Sequence, residues 1–267
     1  MIQIGRPTRV LISGAAGGLG TAVARRFSAD GARVALTDIN ATGLAALAEE
    51  VGGLALPADG TVRGELHDVV AEAAKELGGL DAVIAAQGAQ IPSTTSPKTQ
   101  EAWLRNLDIN LSGPFYLVAE AMPRLIESRG SAVLISSSAG IFSGPAGTAG
   151  YTAAKTGIVG IVRWLAREYG PRGVRVNGVS PGWIRTPFGD GGMAFIAQRD
   201  GITVEEAYES ATARVPLRRP ADPAEIAAVC AFLTSSDASM VTGHTVVADG
   251  GGAVVDSSTE IFDAANA

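Results

Sequence analysis

Tyr151 and Lys155 stand four residues apart, a spacing that puts both side chains on one face of a helix. A phenol beside an ammonium is a candidate proton exchanger. By itself a phenol titrates near pH 10 and is idle at neutrality, whereas a neighbouring cation favours the phenolate. Bringing the group toward pH 7 takes roughly 4 kcal/mol of differential stabilisation. The same spacing arises easily by chance on a solvated amphipathic helix, so its weight depends on what accompanies it.

A second candidate opens the chain. Val10–Ser13 runs into Gly14-Ala15-Ala16-Gly17-Gly18-Leu19-Gly20 and then into an amphipathic stretch with Ala22, Val23 and Phe27. Glycines at 14, 18 and 20 let a backbone turn tightly against a pyrophosphate, which the free N–H groups of the following helix then hold. A glycine turn alone is weak, but strand before and helix after is the setting this chemistry needs. Arg33–Thr37 reads as a second strand ending at Asp38. A carboxylate there accepts from ribose hydroxyls and repels a 2′-phosphate, which points to NAD over NADP. No basic residue in the glycine turn welcomes an extra phosphate.

These groups must be positioned by regular elements. Val10–Ser13, Arg33–Thr37, Ala82–Ala86, Ala132–Ser136, Arg175–Ser180 and Thr245–Ala248 are short, apolar and flanked by glycine, which favours buried strands. Between them lie helical patterns at Gly18–Asp30, Ala41–Val51, Arg63–Leu77, Gln100–Arg129, Tyr151–Tyr169 and Pro223–Ser235. Alternation of this kind implies an α/β fold: a Rossmann-like, doubly wound parallel sheet with helices on both faces. No linker or repeat divides the chain, so residues 1–267 read as a single domain. Residues 187–223 break the rhythm with two short helical patterns and no strand, as a lid over a binding cleft would.

Composition narrows the partners. Hydrophobic residues are 46% and charged residues 18% of the 267, with a net charge of −6. That suits a compact protein and argues against nucleic acid as the main partner. No apolar run approaches the ~20 residues of a membrane span, and Met1–Pro7 lacks a signal-peptide pattern, so a cytoplasmic location is expected. Cys230, the one cysteine, falls at helical spacing with Ile226, Val229 and Leu233 and reads as core. His67 and His244 have no neighbours at metal-ligand spacing, so no metal is expected. Trp103 and Trp164 read as packing residues.

The glycine turn, Asp38 and the Tyr151/Lys155 pair, in this order, resemble the short-chain dehydrogenase/reductase family from about Thr8 to about Val254. Ser13 through Gly20 matches its Thr-Gly-x-x-x-Gly-x-Gly turn, with serine for threonine. Ala58-Asp59-Gly60 looks like its adenine-contacting segment, and Pro181 to Thr186 like its nicotinamide loop. Thr242-Gly243-His244 and Asp249-Gly250-Gly251 match its C-terminal signature. The resemblance implies hydride exchange between nicotinamide and a secondary alcohol or ketone, with Asn110, Ser137, Tyr151 and Lys155 as the catalytic tetrad. It implies a cofactor held by Gly14, Gly17, Gly18, Leu19, Asp38, Ile39, Asp59, Gly60, Ala86, Gly88, Pro181, Gly182, Ile184 and Thr186, together with Tyr151 and Lys155. Substrate contacts are expected from Ser138, Trp183, Met193 and Phe195, and assembly as a homotetramer or homodimer through Gln100–Arg129 and the helix after Tyr151.

Two departures stand out. Ala85-Ala86-Gln87-Gly88 replaces the family's Asn-Asn-Ala-Gly, so either Gln87 supplies the missing amide or cofactor affinity is lower. The family's spacing back from the tyrosine points to Ser138 as the catalytic serine, whereas the local Ser-x-Ala-Gly pattern points to Ser137, which strand register favours. Rival readings are an NADP-dependent 3-oxoacyl-carrier-protein reductase, against which Asp38 argues, and a non-catalytic NAD sensor, against which the intact Ser137, Tyr151 and Lys155 argue.

Overall fold

Alternation within each strand decides the architecture. The computed structural model describes residues 5–256 and 258, so the ends of the 1–267 span lie outside the described residues. In β1 (Arg9–Ser13), Val10 and Ile12 join the apolar cluster on one side of the sheet, and Leu11 joins the cluster on the other. Strands β2 (Arg33–Thr37), β4 (Ala82–Ala85) and β5 (Ser131–Ile135) divide their side chains the same way. Only burial on both faces satisfies such strands, and a parallel sheet between two helical layers provides it.

Helices α3 (Arg63–Leu77), α5 (Gly113–Ser128) and α7 (Ala149–Tyr169) cover one face. Helices α1 (Gly18–Ala29), α2 (Ala41–Val51) and α10 (Pro223–Thr234) cover the other. With β3 (Leu54–Ala55), β6 (Arg175–Pro181) and β7 (Thr245–Ala248), the order is β3-β2-β1-β4-β5-β6-β7, all parallel. The chain winds outward from β1 and then returns to start again at β4. A crevice therefore opens beyond the carboxyl ends of β1 and β4, where ligands of such sheets bind. The architecture is the Rossmann-like one that the alternation implies. β3, only two residues long, is too short to leave a sequence pattern.

The stretch expected to be one helix from Gln100 to Arg129 is two. α4 (Gln100–Leu107) passes through a π turn at Asp108–Ser112 before α5 begins. Pro114 explains the break: in a continuous α-helix its nitrogen would donate to the Asn110 carbonyl, but it has no hydrogen, and its ring would clash there. Gly113 N–H instead donates to the Asp108 carbonyl, five residues back, a π-type bond.

The excursion after β6 carries α8 (Pro187–Asp200) and α9 (Val204–Thr212). Its ends are tied together by an Ile184–Ala221 bridge and by Ala221 N–H donating to the Trp183 carbonyl at 2.8 Å. Between these ends it has a small core of its own, with Met193, Ala207 and Tyr208 all 0% exposed. The Tyr208 hydroxyl donates to Asp190 Oδ1 at 2.9 Å, and the Arg185 guanidinium lies 4.6 Å from the Tyr208 ring centroid. One phenol thus joins the entry segment to both helices.

Replacing Tyr208 with Phe removes that hydroxyl while keeping the ring, at a cost of about 1 kcal/mol. Amide exchange is expected to accelerate across residues 183–212, with little change in the sheet. Equal acceleration throughout the sheet would show that the excursion is not a separate cooperative unit.

Candidate active site

The glycine turn takes the shape its residues permit. Gly14 has φ +64°, and a Cβ there would lie 2.6 Å from Gln87 Cα, so the ends of β1 and β4 meet through backbone alone. Asp38 reaches into the turn: Ala16 N–H donates to its Oδ2 at 3.1 Å, and Asn40 N–H to its Oδ1 at 2.9 Å. The carboxylate is fixed at the rim with lone pairs to spare. Ile39 beside it is 70% exposed. One Asp59 oxygen accepts from Thr61 N–H and Oγ1, at 2.9 and 2.7 Å, which holds its carboxyl below the ordinary range. Thr186 caps α8 by accepting from Gly189 N–H and packs with Pro187 over Gly18. Gly17 and Leu19 lie on the same turn, Ala86 and Gly88 follow β4, and Pro181 and Gly182 close β6. All flank the crevice between the strand ends.

Asn110 sits in the π turn, 0% exposed. Its Oδ1 accepts from Ala89 N–H at 3.1 Å, and its Nδ2 donates to the Ala89 and Asn106 carbonyls at 2.7 and 3.0 Å. Asn106, one turn earlier and equally buried, holds Ile91 in the same two-sided way at 3.2 and 2.7 Å. Together the two amides clamp the chain leaving β4. Asn106 escaped the sequence reading, though its four-residue spacing from Asn110 was visible.

Lys155 lies at the heart of the site, only 3% exposed. Its ammonium donates to the Ile135 carbonyl at 2.9 Å and stands 5.7 Å from the Tyr151 ring centroid. No carboxylate pairs with it among the described residues, and burial pushes its pKa down to about 8. Ser136 Oγ donates to the Lys155 carbonyl at 2.7 Å, securing α7 to the end of β5. At that strand end Ser137 starts the short helix α6 (Ser138–Ile141), its hydroxyl accepting from Ala139 N–H at 3.2 Å and lying near enough to the Tyr151 phenol to favour its ionised form. Of the two serines, therefore, Ser137 faces the tyrosine, and Ser138 lines the neighbouring cavity.

Burial raises the Tyr151 phenol above its ordinary value, and Ser137 only partly offsets this. The sequence leads one to expect a phenol lowered by Lys155. With protein groups alone, desolvation dominates, and Ser137 is the group that opposes it. Gly88 touches both partners of this centre, packing near Asn110 Oδ1 and Lys155 Nζ, so the tetrad residues form one cluster.

The expected substrate contacts divide. Ser138 and Trp183 line a cavity of about 370 Å³. Met193 does not: it is 0% exposed inside the excursion's own core, because α8 turns it and Ala197 toward α9. Phe195 is 67% exposed on another face of the same helix. Phe188, which the sequence reading passed over, packs its ring 6.3 Å from that of Tyr151.

Gln87, in the altered motif, places its amide between two loops. Its Nε2 donates to the Gly60 carbonyl at 3.0 Å and the Ile109 carbonyl at 3.4 Å. One amide thus joins the Asp59–Gly60 segment to the turn carrying Asn110. Its Oε1 is buried beside Gly60 with no partner among the described residues.

Comparison with known proteins shows what this arrangement is similar to. A family model described as enoyl-(acyl carrier protein) reductase matches residues 14–252. Protein MoaE of Klebsiella aerogenes is 38% identical over 258 residues, covering 95% of this chain and 98% of its own. The ligand-free aldohexose dehydrogenase of Thermoplasma acidophilum superimposes with TM-score 0.86 at 27% identity, covering 93% of this chain and 95% of its own. An actinorhodin polyketide ketoreductase solved with NADPH gives 0.85 at 29%, covering 91% and 97%.

A Cβ on Gly60 would lie 2.8 Å from both amide atoms of Gln87. Gly60→Ala is therefore expected to cost on the order of 1–3 kcal/mol in urea denaturation by overpacking, and much less in a Gln87→Ala background. Additive costs across this double-mutant cycle would show that the amide does not brace Gly60.

Proposed function

The chain belongs to the short-chain dehydrogenase/reductase family, and on that premise we propose that it is an NAD(H)-dependent dehydrogenase exchanging hydride with a secondary alcohol or ketone. The observation that carries this reading is a buried phenol with Ser137 beside it and, one helical turn away, a buried ammonium that pairs with no carboxylate among the described residues. Nicotinamide dinucleotides are the cofactors of this family, and the residues fit one. The glycine turn brings backbone close to the start of α1 with Gly14 at φ +64°, and Asp38 offers lone pairs at its rim.

Tyr151 takes the proton from a substrate hydroxyl or returns it to a carbonyl oxygen, and Ser137 holds that oxygen by hydrogen bonding. The Lys155 ammonium stabilises the phenolate as it forms. Asn110, held in the π turn, has a main-chain carbonyl that Pro114 cannot engage, and that carbonyl can hold a relay water. When bound, the nicotinamide supplies the hydride donor or acceptor. Phe188 over Tyr151 supports the excursion as the lid of the site.

Asp38 supports NAD, since a 2′-phosphate would meet a carboxylate that two N–H groups fix in place. A homotetramer or homodimer through α4–α5 and α7 is part of the same proposal, supported by Leu104 and Trp164, 50% and 53% exposed on those helices.

Tyr151→Phe is expected to lower kcat about 10³-fold while NADH affinity, read by fluorescence titration, stays within about two-fold. Survival of most activity would remove the tyrosine from the mechanism. The unmodified protein should prefer NADH to NADPH, and Asp38→Ala should narrow the gap. A preference for NADPH would instead favour a biosynthetic ketoreductase.

The lysine gives a pH signature. Its ammonium is lost near pH 8 in the fold and near 10.5 in the unfolded chain. Activity that depends on the charge should therefore fall above about pH 8. Stability should rise between the two values, because there the unfolded chain binds the proton that the fold has released. A Lys155→Met variant that keeps the rising stability limb would show that another group is responsible.

A further inference from the structure

We propose that the substrate of this site is a neutral, largely apolar secondary alcohol or ketone of fused-ring size, whose body occupies the cavity beside Ser138; this rests on the dehydrogenase reading. The cavity, about 370 Å³, continues from Ser138 past Trp183 and is closed by the return of the excursion, the first turns of α10 and the end of β7. That volume lies in the range of small-molecule sites.

The chemistry of its walls selects the ligand. Phe142, Trp183, Val215, Leu217, Ile226 and Val229 supply broad apolar surface. Two of these are held open to solvent in the protein alone, with Phe142 52% and Leu217 63% exposed. They come from separate segments that converge on one chamber, and apolar surface gathered in this way marks a place where apolar surface will be covered.

The charged groups at the wall are already committed. Arg219 and Glu225 form a two-pronged pair at 2.6 and 2.7 Å, and Glu225 also accepts from Asp222 N–H at 2.8 Å. Asp249 is held in place by Gly251 N–H at 2.9 Å and Ala253 N–H at 2.7 Å, one on each oxygen, and brings a negative charge to this wall. The Thr212 hydroxyl donates to the Tyr208 carbonyl at 2.8 Å. Ser138 is the one lining hydroxyl with no protein partner for its side chain.

An anionic substrate, such as a keto acid, would find no uncommitted cation here, and a buried unpaired carboxylate is strongly disfavoured. A sugar would bury several hydroxyls against the six apolar side chains, and those that reach neither Ser138 nor Asp249 would each carry a desolvation cost. A neutral ring system suffers neither penalty. Ser138 can read one additional oxygen on such a ring, beyond the oxygen that reacts at Tyr151.

Binding is tested apart from turnover by titrating the whole protein with 1-indanone and following tryptophan fluorescence, with Trp183→Phe to assign the signal. Saturable quenching is expected, and neither D-glucose nor acetoacetate should displace the ketone. Leu217→Asp, which places a charge in the chamber at an exposed position, should weaken 1-indanone binding at least ten-fold. Glu225→Gln can keep the bond from Asp222 N–H while releasing Arg219, and it should raise acetoacetate affinity at least ten-fold. With NAD, kcat/KM for 1-indanol should exceed that for D-glucose or 3-hydroxybutyrate at least a hundred-fold.

Absence of saturable quenching, displacement by glucose or acetoacetate in the unmodified protein, or indifference to Leu217→Asp would each overturn the proposal. Saturable binding of 1-indanone without NADH binding would instead overturn the dehydrogenase reading and leave the chamber's selectivity standing.

Discussion

A cation shut away from water with one carbonyl for company sets the terms for everything around it. The Lys155 ammonium bonds the Ile135 carbonyl and pairs with no carboxylate among the described residues. An arrangement of this kind persists only where the surrounding packing gives the charge no route to solvent. Here the route is closed by Ser136, which binds the Lys155 backbone, by the carboxyl end of β5, and by Gly88 and Asn110 on the remaining side. Pairing the lysine with an acid would have relieved the cost and, on the proposed mechanism, quenched the field offered to Tyr151. The isolation of the charge is thus the condition for its use.

The sheet explains why these groups meet. Tyr151 and Lys155 come from α7, Ser137 from the end of β5, and Asn110 from the far side of β4, and parallel strands in register bring all of them to one rim. Short polar side chains then join the loops on that rim. The Asn106 and Asn110 amides secure the segment after β4, Gln87 spans from Gly60 to Ile109, and Asp38 binds the glycine turn from β2. Each acts on backbone, so segments outside helices and strands still have their main-chain groups bonded.

Much of this was legible in the residues. Val10–Ser13 and Arg33–Thr37 announced themselves by β-branched runs between glycines, and the glycine turn with Asp38 placed the crevice before any coordinates did. The π turn was harder to read, because the apolar pattern from Gln100 to Arg129 looks continuous and one proline carries the signal. Met193 was misread for a different reason: an apolar residue in an irregular segment looks like a ligand contact until a second helix is known to cover it. Gln87 could be flagged as a departure from the family pattern, but which carbonyls its amide would reach is set by loops distant in sequence. Which of Ser137 and Ser138 lies nearer the tyrosine depends on the direction of a strand end, which spacing alone does not fix.

The π turn also does geometrical work for the helices on either side of it. A residue advances an α-helix by about 100°, so one residue of slack rotates every later side chain by that angle relative to the earlier ones. α4 packs against α7, whereas α5 packs against α3 and β4. A straight rod would carry a single apolar stripe and could not satisfy partners at two different azimuths. The bulge acts as a phase shift, letting one nearly continuous rod present one stripe to its first neighbour and another to its second. Asn110 sits at the point where the phase changes, so its placement and the packing of both helices share a single covalent cause, a ring nitrogen without a hydrogen.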